Sequence, residues 1–151
     1  MDEQHGDLRE LYQEMIFDHN RRPRNFHAMS DASHLAHGHN PLCGDQLTVY
    51  VRIEDGIVAD VSFEGHGCAI STASASLMTE AVVGKPIAEI EALFDDVHAL
   101  LTQRTPEGRD FGKLEVLSGV REFPARVKCA TLAWHTLHNA ITGADDTAQT
   151  E

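Results

Sequence analysis

An α+β fold, with helices on one face of a small antiparallel sheet, is predicted by two apolar periodicities and one turn signal. Leu47, Val49, Val51 and Ile53 alternate with Gln46, Thr48, Tyr50 and Arg52, and Ile57, Ala59, Val61 and Phe63 alternate again after Asp55-Gly56. Period two on both sides of an Asp-Gly pair specifies a β-hairpin. The other apolar stripes recur at helical spacing, and a hairpin followed by helices places those helices on one face of a small sheet.

The elements follow in chain order. Leu8, Leu11, Tyr12, Met15, Ile16 and His19 form the apolar face of a first helix, with Asp7 as its N-cap and Arg21 to Asn25, through Pro23, as its end. Residues 26–42 hold no strong period, and one strand is placed near His34 to His39. After the hairpin and Gly65-His66-Gly67, the run from Ala69 to Val83 reads as a helix stopped by Gly84, with Pro86 two residues on. Its small residues, Ser71 to Ser76, permit close packing. Ile90, Leu93, Phe94, Val97, Leu100 and Leu101 make a third helical stripe that Thr105 to Gly108 interrupts. Leu114, Leu117 and Val120 suggest a short helical turn, and Ala130, Ala133, Trp134, Leu137 and Ile141 give the last helix, with Trp134 in the core. Residues 1–142 are expected to form one domain, and the polar tail 143–151 to fray.

The chain has 151 residues, 42% of them hydrophobic, which suits one soluble domain with a real core. Its formal charge is −12, with 12 Lys and Arg against 24 Asp and Glu. Such a chain repels phosphate backbones, so no nucleic-acid partner is expected. The first residues show no basic and apolar leader, and nowhere does an apolar run approach the roughly 18 residues of a membrane span. Three cysteines cannot all pair, which argues for a reducing compartment. A cytoplasmic location without membrane contact is expected.

The cysteines sit in Asn40-Pro41-Leu42-Cys43-Gly44-Asp45, Gly65-His66-Gly67-Cys68-Ala69 and Arg126-Val127-Lys128-Cys129-Ala130. No local knuckle joins residues 43, 68 and 129, so any shared site must be built by the fold. Zinc takes four ligands in a tetrahedron, and Cys43, Asp45, Cys68 and Cys129 supply that number. Gly44 can bend so that Cys43 and Asp45 turn to one ion. Cys68 and Cys129 are each read as opening a helix, where free N–H groups favour a thiolate. Three thiolates and a carboxylate carry about −4, which a divalent ion halves, so metal and geometry are coupled. A site of soft thiolates with one hard oxygen suits ligand exchange, in which one cysteine is released as a nucleophile. Spacing alone leaves both this site and three separately buried cysteines open. His34, His37 and His39 read as surface histidines of a polar loop without a partner set, and His66 either hydrogen-bonds near Cys68 or fills a turn. Glu54-Asp55 and Asp95-Asp96 read as solvated charges.

The motifs together are more specific than their spacing. Leu11-Tyr12-Gln13-Glu14-Met15-Ile16-Phe17-Asp18-His19, running into Arg22-Pro23-Arg24-Asn25, resembles the opening helix of the SufU-type branch of the IscU/NifU-like family. The three cysteine segments, the last within Phe123-Pro124-Ala125-Arg126-Val127-Lys128-Cys129-Ala130-Thr131-Leu132-Ala133-Trp134, resemble that family's cysteine motifs. The resemblance spans roughly residues 8–141. It implies the compact SufE/NifU-like α+β domain, a small three-stranded antiparallel sheet packed against helices, and one metal ion per chain, Zn²⁺, on Cys43, Asp45, Cys68 and Cys129. The IscU-type branch commonly has a histidine directly before the third cysteine, where this chain has Lys128. The 61 positions between Cys68 and Cys129 are similar to the longer segment of the SufU-type branch.

Resemblance to that branch implies a zinc-dependent sulfurtransferase acting with a SufS-type, pyridoxal-phosphate cysteine desulfurase. Cys43 would take persulfide sulfur and carry it to downstream iron–sulfur assembly proteins. Arg126 is assigned to partner docking or charge balance. Two other readings of the same ligands stand beside it: an IscU-like scaffold holding a transient [2Fe–2S] cluster, and a zinc ion that only stabilises the fold.

Overall fold

The computed structural model describes residues 2–41, 44–103, 108, 110–143 and 148–149. Helix α1 (Asp2–Arg21) is followed by strands β1 (His34–Asn40), β2 (Asp45–Glu54) and β3 (Ile57–His66), then helices α2 (Ala69–Val82) and α3 (Ile87–Thr102). A 3-10 helix (Gly112–Glu122), helix α4 (Pro124–Thr142) and the two-residue strand β4 (Ala148–Gln149) complete the order. The predicted α+β class and three-stranded antiparallel sheet are what form: β2 lies between β1 and β3, antiparallel to both. Asp55 and Gly56 turn the hairpin with φ of 53° and 77°, the left-handed pair that matches strand twist.

Three boundaries differ from the sequence expectation. Helix α1 begins at Asp2 rather than after Asp7. Helix α4 begins with Pro124 at its first turn, six residues before its apolar stripe, as proline's fixed φ and missing N–H allow. Within the tail expected to fray, β4 pairs in parallel with Gly38–His39 at the outer edge of β1.

One sheet face carries the core. Leu47, Val49 and Val51 of β2 and Val58, Val61 and Phe63 of β3 are buried in one cluster with Leu77 and Met78 of α2 and Leu132, Trp134 and Leu137 of α4. Small side chains let α2 and α4 approach closely. Ser74 Oγ donates to the Ala130 carbonyl at 2.6 Å and accepts from Trp134 Nε1 at 3.2 Å, so the buried indole N–H is satisfied. Helix α1 is fixed to α2 by His19, whose Nδ1 lies 2.7 Å from Ser76 Oγ, while the Arg24 N–H donates to the same hydroxyl at 2.8 Å. Among the described residues no helix is long and apolar enough to cross a membrane.

Candidate metal centre

The last pair of the β1–β2 ladder, Asn40 opposite Asp45, stands at one end of the sheet. Both side chains are buried. Gly44 precedes β2 with φ 71°, a left-handed conformation that turns the chain into the strand. Asp45 then shares the helix-covered face of β2 with Leu47, Val49 and Val51.

Cys68 is the N-cap of α2. Its φ and ψ are −71° and 168°, and its Sγ accepts from the Ser71 N–H at 3.4 Å, as a capping side chain does. The Cys68 N–H donates to Asp45 Oδ1 at 2.8 Å, and Cys68 Sγ lies 3.9 Å from Asp45 Oδ2. Gly67 makes this approach possible. A Cβ there would stand 2.6 Å from Asp45 Oδ1, closer than non-bonded atoms tolerate.

Cys129 does not open its helix. With α4 starting at Pro124, it lies in the second turn and is buried at 2% exposure, so the expectation of a thiol at the helix mouth is corrected. Asn40 Nδ2 lies 3.9 Å from its sulfur. Asn40 carries no role in the sequence reading, although it heads the first cysteine motif; its signal was a polar residue on the inward face of a strand.

The structure thus brings Asp45, Cys68 and Cys129 together, with one donor atom from each within 4.8 Å of the others. Cys43 lies outside the described residues. Arg126 lies on the exposed first turn of α4, its guanidinium 5.2 Å from the Phe123 ring centre in a cation–π contact. His34, His37 and His39 lie on β1 rather than in a loop, and His66 ends β3.

The donor chemistry fits a thiophilic divalent cation. Asp45 is 0% exposed, and among the described residues no lysine or arginine pairs with it. A buried carboxylate is held by a cation or a metal, and two sulfurs beside it match zinc or iron. Asp45, Cys68 and Cys129 supply three such donors.

Comparison with known proteins places this arrangement. The family described as NifU-like N terminal domain matches residues 11–144. The chain is 41% identical over 135 residues to the iron–sulfur cluster assembly scaffold protein IscU of Streptococcus pyogenes, covering 89% of this chain and 84% of that one. It is 40% identical over 139 residues to the zinc-dependent sulfurtransferase SufU of Bacillus subtilis, covering 90% and 92%. The crystal structure of a NifU-like protein (N-terminal) from Brucella abortus superposes with a TM-score of 0.79 at 26% identity, over 87% of this chain and 92% of that one. The chain belongs to the NifU-like N-terminal domain family, that of the IscU and SufU iron–sulfur cluster assembly proteins.

Proposed function

We propose that the protein is a zinc-dependent sulfurtransferase that accepts persulfide sulfur from a SufS-type cysteine desulfurase for iron–sulfur cluster assembly. The observation that carries this reading is the convergence of Asp45, Cys68 and Cys129 from β2, the N-cap of α2 and the interior of α4. Cys43 is two residues before Asp45, so covalent geometry alone keeps their Cα atoms within about 7 Å. Cys43, Asp45, Cys68 and Cys129 would therefore hold one Zn²⁺, which when bound supplies the positive charge that keeps thiols ionised and ready for exchange.

The chain's own residues divide the work. Asp45, sealed under Gly67 and held by the Cys68 N–H, is fixed. Cys129 is fixed within α4. Cys43 falls in the sequence between Asn40, the end of β1, and Asp45, the start of β2, so we assign the transfer step to it rather than to the helix-borne Cys68 and Cys129. Its thiolate attacks the outer sulfur of the desulfurase persulfide. A new S–S bond forms at Cys43 as the old one breaks, and the desulfurase cysteine leaves as thiolate, with no net oxidation. The exposed pair of Phe123, the N-cap of α4, and Arg126, on its first turn, offers an apolar and cationic contact for the docked partner.

The 40% identity to the Bacillus sulfurtransferase, together with Lys128 and the long segment before Cys129, supports transfer. The 41% identity to the Streptococcus scaffold supports the second reading, a transient [2Fe–2S] cluster on the same ligands. Alanine production by the cognate desulfurase separates them. Strong stimulation by zinc-loaded protein, abolished in Cys43→Ala, is expected; no stimulation by either, with a coloured cluster forming on anaerobic reconstitution, would give the scaffold reading first place.

A further inference from the structure

The sheet face turned away from the helices carries a cleft of about 570 Å³. Pleating sends His37 and His39 of β1 to that face, while Ala36, Gly38 and Asn40 point towards the helices. Thr48 and Gln46 stand opposite them on β2, and Glu64 and His66 opposite those on β3. Four donor side chains, His37, His39, Glu64 and His66, therefore mark the corners of a patch about 10 Å across the strands and about 7 Å along them. All four line the cleft.

Two contacts bear on what the patch can hold. His37 Nδ1 lies 2.8 Å from Thr48 Oγ1. When Nδ1 donates to that hydroxyl, the ring is oriented and Nε2 carries the free lone pair, as in the outer-shell bonds that orient metal-binding histidines. Glu64 Oε1 accepts from the Tyr50 hydroxyl, which fixes the carboxylate at the rim of the cleft. The two histidines of His37-Gly38-His39 share one face because a strand repeats every two residues. Imidazoles with one carboxylate suit zinc, nickel or copper(II), whereas Glu64 and the net charge of −12 oppose an anion.

We propose that His37, His39 and His66, with Glu64, form a second site for a divalent transition-metal ion, on the opposite face of the sheet from Asp45. The ion must draw the rings inward, because among the described residues only Asp45, Cys68 and Cys129 already gather three donor atoms within 4.8 Å. His37 and His66 are exposed and His39 half-buried, so their rings turn between rotamers without displacing the core. The nitrogen-rich set prefers nickel or copper where the sulfur-rich set prefers zinc or iron, so the two faces select different ions.

The test uses untagged protein carrying one equivalent of zinc, titrated with Ni²⁺ by calorimetry and by NMR of the imidazole nitrogens. One Ni²⁺ per chain beyond the zinc is expected, with paramagnetic broadening centred on His37, His39 and His66. Removing an outer-shell partner alone weakens metal sites about 10–100-fold, so His37→Ala and His39→Ala should each weaken Ni²⁺ binding by at least about tenfold. His34→Ala, on the same strand, should leave it unchanged. No Ni²⁺ bound beyond the zinc, unchanged affinity in both variants, or broadening centred instead on the ring cluster around Phe94, formed by His98 of α3 with His135 and His138 of α4, would overturn the proposal.

Discussion

Substituting Gly67 by alanine tests whether the candidate metal centre depends on backbone approach rather than on its donors alone. The added methyl would meet Asp45 Oδ1 at 2.6 Å and Cγ at 3.0 Å, and because the carboxylate is fully buried any retreat disturbs its packing or its hydrogen bond. Two relaxations are open. The backbone at Gly67 can shift, at the roughly 1–3 kcal/mol typical of overpacking. Alternatively the carboxylate can swing off the Cys68 N–H, losing a charge-assisted hydrogen bond of about 1.5–3 kcal/mol. Either way the loss is about 1–3 kcal/mol, and at about 2–4 °C per kcal/mol for a chain of this size, Tm falls by about 2–12 °C. Because the second relaxation moves a proposed ligand, zinc affinity in a chelator competition should fall as well. Gly119→Ala, where the new methyl meets nothing within 4 Å, is the control and should stay within about 0.5 kcal/mol of the parent. A Gly67→Ala protein whose Tm and zinc affinity both match the parent would refute the argument that Gly67 is there to admit Asp45.

Two further predictions concern metal and pH. Zinc at 100 times its dissociation constant should stabilise the fold by about 2.7 kcal/mol, read as a rise in Tm of about 5–11 °C that a chelator reverses; an identical Tm with and without zinc would remove the metal from this site. Burial, then Arg24, lowers the His19 pKa from its ordinary 6.5, with Lys113 adding to the shift and Glu80 and Asp18 opposing it; burial, then His98 and His138, lowers that of His135. The unfolded chain therefore takes up these protons first, so the two histidines leave stability intact above about pH 6.5 and reduce it as pH falls below that value. His19→Asn, which can keep a contact to Ser76, should flatten the decline in urea-measured stability between pH 7 and 5. An unaltered slope would place the proton uptake elsewhere.

The hairpin was legible because both of its strands alternate apolar and polar residues around Asp55-Gly56. Strand β1 was nearly invisible for the opposite reason. Its inward positions are Ala36, Gly38 and Asn40, while Leu35 points outward at 52% exposure, so hydropathy alternates with the wrong sign. What admits so small an inward face is packing against α4, where a Cβ on Gly38 would meet Thr136 Oγ1 at 2.1 Å. No local rule reports such a contact. Helix α4 starts earlier than its apolar stripe indicates because its first turn is exposed and lacks that stripe. The earlier start changes the chemistry, since it places Cys129 inside the second turn instead of at a helix mouth. The grouping of Asp45, Cys68 and Cys129 was legible as motifs, yet spacing could not supply it, because each donor comes from a different element.

The order of those donors along the chain has a consequence for synthesis. Asp45 and Cys68 are made before Cys129, which lies beyond α3 and the 3-10 helix, within α4, the last of the described helices. Chains grow and fold from the N-terminus, so a nascent chain still short of α4 carries the hairpin and the cap of α2 without the thiol that completes the cluster. Trp134 and Leu137, which close the core, arrive on the same helix as Cys129. A ribosome stalled before α4 therefore holds neither the closed core nor the three gathered donors, and the emergence of α4 supplies what both lack.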